Sequence, residues 1–274
     1  MKFLHPDTQL ENLASLNKKR YQTADPFPSI VFENFFDAEM LDKVLAEFPD
    51  LEKLQGAESF NNHNEKKFGT SNEAFFGDAT RLLLHYLNSG PILKFLQELT
   101  GIKETLVPDP YFIGGGCHEI KQGGLLKVHA DFNKHRLTGL DRRINLLVYL
   151  NKDWEADFGG HFELWDKDME SAVKKVLPLF NTVAIFSTTD FSYHGHPDPL
   201  NCPPDRSRKS LALYYYTHGR PITEINSDLA ENTTAFVSRK AVEDDVRPLK
   251  RPIKTVLLDY IPPVIIKLLK KRSS

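Results

Sequence analysis

The chain changes period after Pro108-Asp109-Pro110. Ahead of that point, apolar residues recur at three- and four-residue spacing. Beyond it they come in short runs broken by Gly, Asn, Asp and Pro. Short runs bounded by turn residues read as strands, and many in succession read as an all-β barrel or sandwich. The runs near 111–121, 125–129, 142–150, 161–166, 174–179, 182–187, 191–195 and 208–217 give about eight strands, enough for a jelly roll, with no internal repeat.

The first part of the chain supplies helices. Asp37 is an N-cap with Met40, Leu41, Val44, Leu45 and Phe48 at helical spacing behind it, and Pro49 ends that helix. Ala79 to Tyr86 and Pro91 to Leu99 are two more, the second opened by proline and followed by Gly101. Pro26-Phe27-Pro28-Ser29-Ile30-Val31-Phe32 reads as a loop entering a short strand. Residues 1–25 are polar, either a helix around Leu10 to Leu16 or a loose arm, and 55–77 reads as a polar loop.

The expected fold is therefore mainly β with helical support. A double-stranded β-helix (jelly roll, cupin-like) core occupies 111–220. An N-terminal arm and supporting helices (1–110) pack on it in the same domain, and 221–274 is a C-terminal extension. From Arg247 onward that extension has eight basic residues against one acid, Asp259. Its apolar runs Val256-Leu257-Leu258 and Val264-Ile265-Ile266 flank Pro262-Pro263. Two short helices packed on the domain, lysines outward, would account for this pattern, as would a basic amphipathic segment in peripheral contact with a membrane.

An apolar fraction of 41% supports a packed core, and a net charge of −2 gives no reason to expect nucleic acid. The N-terminus turns polar at once, without the apolar run of a signal peptide. No stretch approaches the roughly 20 apolar residues of a membrane-spanning helix. Cys117 and Cys202 form neither a CxxC motif nor a disulfide framework, which fits a reducing, cytoplasmic setting. Oligomeric state is not legible at this level.

An HxD triplet alone carries little information. With 10 His and 20 Asp in 274 residues, roughly 0.7 occurrences arise by chance, and this chain has three. His5-Pro6-Asp7 lies near the terminus, and His196-Pro197-Asp198 has a ladder-breaking proline in its middle. Only His129-Ala130-Asp131 follows a strand-like run, Leu125-Leu126-Lys127-Val128, where residues two apart point the same way and can share one ion. A third ligand from a later strand is His194 or His196. His194 is preferred because it ends the apolar run Ile185 to Tyr193, whereas His196 looks like the start of a loop. Two imidazoles and one carboxylate with open positions describe the facial triad of non-haem Fe(II) oxygenases. His161, His118 and His218 read as structural or supporting.

On the last strand Arg208, Ser210 and Ala212 share a face, against Leu211, Leu213 and Tyr215. An arginine followed by two small residues leaves room for a ligand, and its fork can hold a carboxylate bidentately. Tyr149, on a face with Asn145 and Leu147, could place its hydroxyl on the same carboxylate. Arg206 competes with Arg208, which has the better strand register.

Together, His129-Ala130-Asp131, Tyr149-Leu150-Asn151-Lys152-Asp153-Trp154, Gly159-Gly160, the Phe186 to His194 segment and Arg208-Lys209-Ser210-Leu211 resemble the Fe(II)/2-oxoglutarate-dependent dioxygenases, within them the prolyl 4-hydroxylase-like group. The resemblance covers roughly 111–217. It implies Fe(II) on His129, Asp131 and His194, with the distal carboxylate of 2-oxoglutarate on Arg208 and Tyr149. O2 would be consumed, and ascorbate is a candidate reductant. The fourteen residues from His194 to Arg208 are more than is common in the group. Asp131 argues against halogenation, since halogenases of this superfamily usually lack that carboxylate.

Three functions compete. The first is hydroxylation of an unactivated C–H bond in a peptidyl or free amino acid, releasing succinate and CO2. The second is the same chemistry on a small-molecule, lipid-linked or sugar-linked metabolite. The third is a cupin-like metal-binding protein without 2-oxoglutarate. Substrate specificity is expected in 55–77, 132–141 and 195–207, at the mouth of the barrel.

Overall fold

Period-two alternation along the strands decides which residues face helices and which face a cavity. In the computed structural model, which describes residues 2–227 and 233–247, the strands are β1 (Ser29–Glu33), β2 (Glu58–Asn61), β3 (Glu65–Thr70), β4 (Val107–Pro108), β5 (Gly116–Lys121), β6 (Leu125–Ala130), β7 (Asp141–Tyr149), β8 (Phe162–Trp165), β9 (Ala172–Val176), β10 (Thr182–Ser187), β11 (His194–His196), β12 (Ser207–Thr217) and β13 (Ala235–Phe236). They form one antiparallel ladder in the order β1-β10-β7-β12-β5-β3-β6-β11-β8-β9. β2 pairs with β3, β4 with β12 and β13 with β6. The ladder curls until its ends meet. Phe162 and Leu164 of β8 and Val176 of β9 pack against Tyr149 of β7 and Ala184 and Phe186 of β10. This is a jelly roll, with the interior left between the two halves.

The other face of β7, β10 and β12 carries the helices α1 (Leu10–Gln22), α2 (Ala38–Ala46), α3 (Asp78–Leu87) and α4 (Gly90–Thr100). Ile144, Leu146 and Val148, Val183 and Ile185, and Leu211, Leu213 and Tyr215 alternate out of the strands into one core. There they meet Leu41 and Val44 of α2, Leu83 and Leu84 of α3, and Phe95 and Leu96 of α4. The helix ends follow their caps. Asp37 accepts a hydrogen bond from Met40 N at 3.0 Å, and Gly101 closes α4 at φ 71°, a left-handed position suited to glycine.

Of the two readings of the N-terminal segment the helix holds, with thirteen residues: Tyr21 is buried, its hydroxyl 2.9 Å from Ser187 Oγ. Other expectations are corrected. The 55–77 stretch is the β2–β3 hairpin followed by a 3-10 turn at Glu73–Phe75. Asn62 Oδ1 accepts from Asn64 N and Glu65 N at its tip, and the residues of the hairpin show no apolar alternation. The strand expected from residue 111 begins only at Gly116, because Phe112 (φ 50°) and Gly114 (φ 74°) turn the chain. The 195–207 insertion does not reach the cavity mouth beyond His196. Leu200 and Cys202 pack with Ile120 and Trp154 in a small core of their own.

Among the described residues no helix is long and apolar enough to cross a membrane. The basic tail from residue 248 lies outside the described residues, and with it the amphipathic segment expected there.

Leu146 is fully buried between sheet and helices, while Leu16 is 81% exposed. Leu146→Ala is expected to cost about 2–5 kcal/mol and Leu16→Ala less than about 0.5 kcal/mol, read from urea unfolding midpoints.

Candidate metal and co-substrate site

β6 and β11 pair antiparallel with His129 directly opposite His194, so the two rings lie with centroids 4.5 Å apart. Gly195 allows the pairing. A Cβ there would lie 2.8 Å from Leu126 O and 2.9 Å from Lys127 O. Asp131 follows the end of β6 and turns its carboxylate toward both rings: Oδ1 is 3.5 Å from His129 Nε2 and Oδ2 is 3.3 Å from His194 Nε2. One ligand atom from each of the three lies within 4.8 Å of the other two.

The Nδ1 atoms are already committed. His129 Nδ1 donates to Lys127 O at 2.8 Å and His194 Nδ1 to Ser192 O at 2.9 Å, which leaves both Nε2 lone pairs facing Asp131. Phe186 and Phe162 pack edge-on to His194, with centroids 4.7 and 5.7 Å away. Burial, then the neighbouring His194, lowers the pKa of His129, so it is neutral near pH 7.

Asp131 has a second set of partners. Oδ2 accepts from Asn145 Nδ2 at 2.7 Å and from Arg142 NH2 at 3.1 Å, while Arg142 Nε donates to Asn145 Oδ1 at 2.8 Å. The Arg142 guanidinium lies between the rings of Phe132 (4.3 Å) and Tyr214 (3.4 Å). Burial alone would raise the Asp131 carboxyl. Arg142 and the two imidazoles outweigh it and hold the group well below its ordinary range. Asp131 is thus kept ionised.

At the other end of the cavity stands Arg208, 6% exposed. Its Nε donates to Gly160 O at 2.8 Å and its NH2 to Tyr149 Oη at 3.4 Å, with the guanidinium 4.9 Å from the centre of the Tyr149 ring. Gly160, at φ 69°, leaves it space, since a Cβ there would be 2.9 Å from Arg208 Cδ. Burial lowers its pKa, with Tyr149 opposing, and a guanidinium remains cationic in proteins. Among the described residues no carboxylate pairs with it. Arg206 is elsewhere: it donates to Lys152 O and lies over Phe158, outside the cavity.

The cavity, about 280 Å³, reaches from the His129–Asp131–His194 cluster to Arg208 and Ser210. Tyr149 lies behind Arg208 and does not line it. His196, expected to begin a loop, is instead in β11, buried and facing this cavity apart from the cluster. His118, read as structural, also lines it, its Nε2 donating to Gly114 O at 3.1 Å. Sequence reasoning missed Arg142 and Asn145 as partners of Asp131. The signal was there, a charged pair Arg142-Arg143 inside an apolar strand. It also missed the contact of the C-terminal extension with the site. β13 pairs with β6 so that Phe236 sits opposite His129, ring centroids 5.7 Å apart, and Thr234 lines the cavity. Asp245 fastens that segment, accepting from Arg239 NH2 and from Lys127 Nζ, both at 2.9 Å.

These residues fit a divalent metal with an acidic co-substrate. Two imidazoles and an ionised carboxylate converge as metal donors, and across the same cavity stands a buried cation with no carboxylate partner among the described residues.

The buried imidazoles also set a pH response. Burial, then Lys67, pushes His118 down to about 3, and burial, then Arg208 and Lys67, holds His196 well below its ordinary value. An unfolded imidazole takes up its proton near pH ~6.5, but these folded ones do so only at lower pH. In that window the unfolded state binds more protons, so stability rises with pH. The metal-free protein is expected to lose stability as pH falls below about 6.5, by up to about 1.4 kcal/mol per pH unit for each such imidazole. Urea midpoints at pH 7 and pH 5 measure this, and His118→Gln is expected to flatten the slope.

Residues 115–216 match the family described as the 2OG-Fe(II) oxygenase superfamily. Mouse prolyl 3-hydroxylase OGFOD1 is 26% identical over 206 residues, which cover 70% of this chain and 33% of that protein. The chain thus spans about a third of that relative's length. Among solved structures, a prolyl hydroxylase from Trichoplax adhaerens, in complex with a hypoxia inducible factor oxygen degradation domain peptide, superposes with a TM-score of 0.55 at 18% identity, covering 76% of this chain and 90% of that one. A Pseudomonas putida prolyl-4-hydroxylase gives 0.50 at 17% identity, covering 75% and 100%. At those identities the structural likeness speaks for the fold. The matched stretch contains the strands that carry His129, His194 and Arg208.

Proposed function

We propose that this chain is a prolyl-hydroxylase-like oxygenase. It consumes 2-oxoglutarate and O2 and hydroxylates an unactivated C–H bond of a peptidyl or free amino acid side chain. One observation carries the reading: a buried Arg208, with no carboxylate partner among the described residues, faces across one small cavity a cluster of two imidazoles and a carboxylate. A cupin-like metal binder that uses no acidic co-substrate has no need of that cation, and burying it unpaired is costly.

In this reading His129, Asp131 and His194 hold Fe(II), and Arg208 receives the distal carboxylate of 2-oxoglutarate. With Fe(II), 2-oxoglutarate and O2 bound, oxidative decarboxylation of the co-substrate to succinate and CO2 supplies the oxidant. The chain provides position and shelter. Lys127 O and Ser192 O fix the two imidazole tautomers, Asn145 and Arg142 orient Asp131, and Phe162 and Phe186 keep water from His194. Tyr149 keeps its proton, because burial raises its pKa against the pull of Arg208, and it braces the guanidinium from behind.

The cavity favours a substrate that stays mostly outside. At about 280 Å³ it lies near the low end of the ~300–1,000 Å³ range of ligand pockets, and a five-carbon diacid takes much of it. What remains suits the tip of a side chain, and the aromatic residues Phe60, Phe132 and Tyr214 line the cavity. A mouse relative named as a prolyl 3-hydroxylase supports a prolyl side chain in that place.

The test is succinate release over a panel of prolyl peptides and free amino acids, with mass spectrometry for one added oxygen. Arg208→Ala is expected to raise the KM for 2-oxoglutarate at least ~30-fold, the loss of a buried charge partner worth about 2 kcal/mol or more. His129→Ala is expected to abolish turnover and weaken Mn(II) binding. An Arg208→Ala protein with unchanged 2-oxoglutarate affinity and uncoupled turnover contradicts the assignment.

A further inference from the structure

His196 is two residues beyond His194 on β11 and lines the same cavity as Arg208. It is 4% exposed, and neither of its ring nitrogens has a hydrogen-bond partner. Buried polar side chains normally find partners, so an imidazole left with none is a group whose partner is a ligand. The other imidazoles of the cavity are all engaged: His118 with Gly114 O, His129 with Lys127 O and His194 with Ser192 O.

The surroundings decide what that ligand is. The cations Arg208 and Lys67 line the same cavity as His196. Lys67 is matched by Glu65, 3.2 Å away, whereas Arg208 has no carboxylate partner among the described residues. An unmatched cation repels a metal ion and attracts an anion. His196 is also outside the cluster of convergent metal donors. Arg208 spends Nε on Gly160 O and NH2 on Tyr149 Oη, and NH1 makes no hydrogen bond to the described residues. Arg208 alone therefore offers a carboxylate only part of its fork.

The geometry points to His196 as the second donor to the distal carboxylate of the co-substrate, one ring N–H giving a hydrogen bond to an oxygen of the group that Arg208 neutralises. His196 is then a co-substrate-binding residue that selects a dicarboxylate over a 2-oxo acid without the distal acid group. This rests on the oxygenase reading above and deepens it.

Calorimetry on the Mn(II)-loaded protein, with 2-oxoglutarate and with 2-oxobutyrate, tests it. His196→Val is expected to weaken 2-oxoglutarate binding about tenfold, a hydrogen bond to a charged acceptor. It should leave Mn(II) and 2-oxobutyrate affinities within about twofold, and His196→Gln, which restores an N–H, should recover most of the loss. An unchanged 2-oxoglutarate affinity in His196→Val overturns the inference, and so does an equal loss for 2-oxobutyrate, which marks a packing role. Ring-nitrogen NMR on the Zn(II)-loaded wild type reads the same contact without relying on a variant. The His196 signals should move with 2-oxoglutarate and not with 2-oxobutyrate, and signals that stay fixed with both overturn it. Failure of the oxygenase reading looks different, because the wild type itself then shows no preference for 2-oxoglutarate over 2-oxobutyrate.

Discussion

A guanidinium buried without a counter-carboxylate is among the most expensive groups a fold can hold, and among the described residues Arg208 has none. Its neighbours are arranged around the cost. Gly160 gives up a side chain to let it in and a carbonyl to bind it, and the Tyr149 ring and hydroxyl cover its back. None of them neutralises the charge. An acidic ligand would, which ties the stability of this end of the cavity to its occupant.

The opposite end is built with inverse logic. Asp131 is compensated on the outside, by Arg142 and Asn145, and faces the two imidazoles on the inside. The β6–β11 register places His129 against His194, and the strand edge beyond β3 is filled by β13 with its Phe236 ring on His129. One curled sheet thus holds a cation at one end and a metal-type donor set at the other. Its convex face spends the alternate side chains on the helices.

Much of this was legible from residue order. The alternation in β7 and β12 separated Asn145, Leu147 and Arg208 from the core residues Ile144, Leu146, Leu211 and Leu213, and the structure has the same division. A period of two is imposed by the backbone, so it survives any detail of packing. The β2–β3 hairpin was not legible, because β2 is largely exposed and the buried positions of β3 are Glu65, Gly69 and Thr70, which give no apolar alternation. His196 was misread because Pro197 suggested a loop, yet the pairing with Leu126 carries the strand as far as the imidazole. Local residue type also says nothing about contacts across 100 residues, as between Phe236 and His129.

The most direct measurement is a crystal structure of the protein with Mn(II) and 2-oxoglutarate, using the anomalous signal of manganese. One metal is expected between His129, Asp131 and His194, with the distal carboxylate of the co-substrate against Arg208. A metal on His196, or a carboxylate bound away from Arg208, would contradict it.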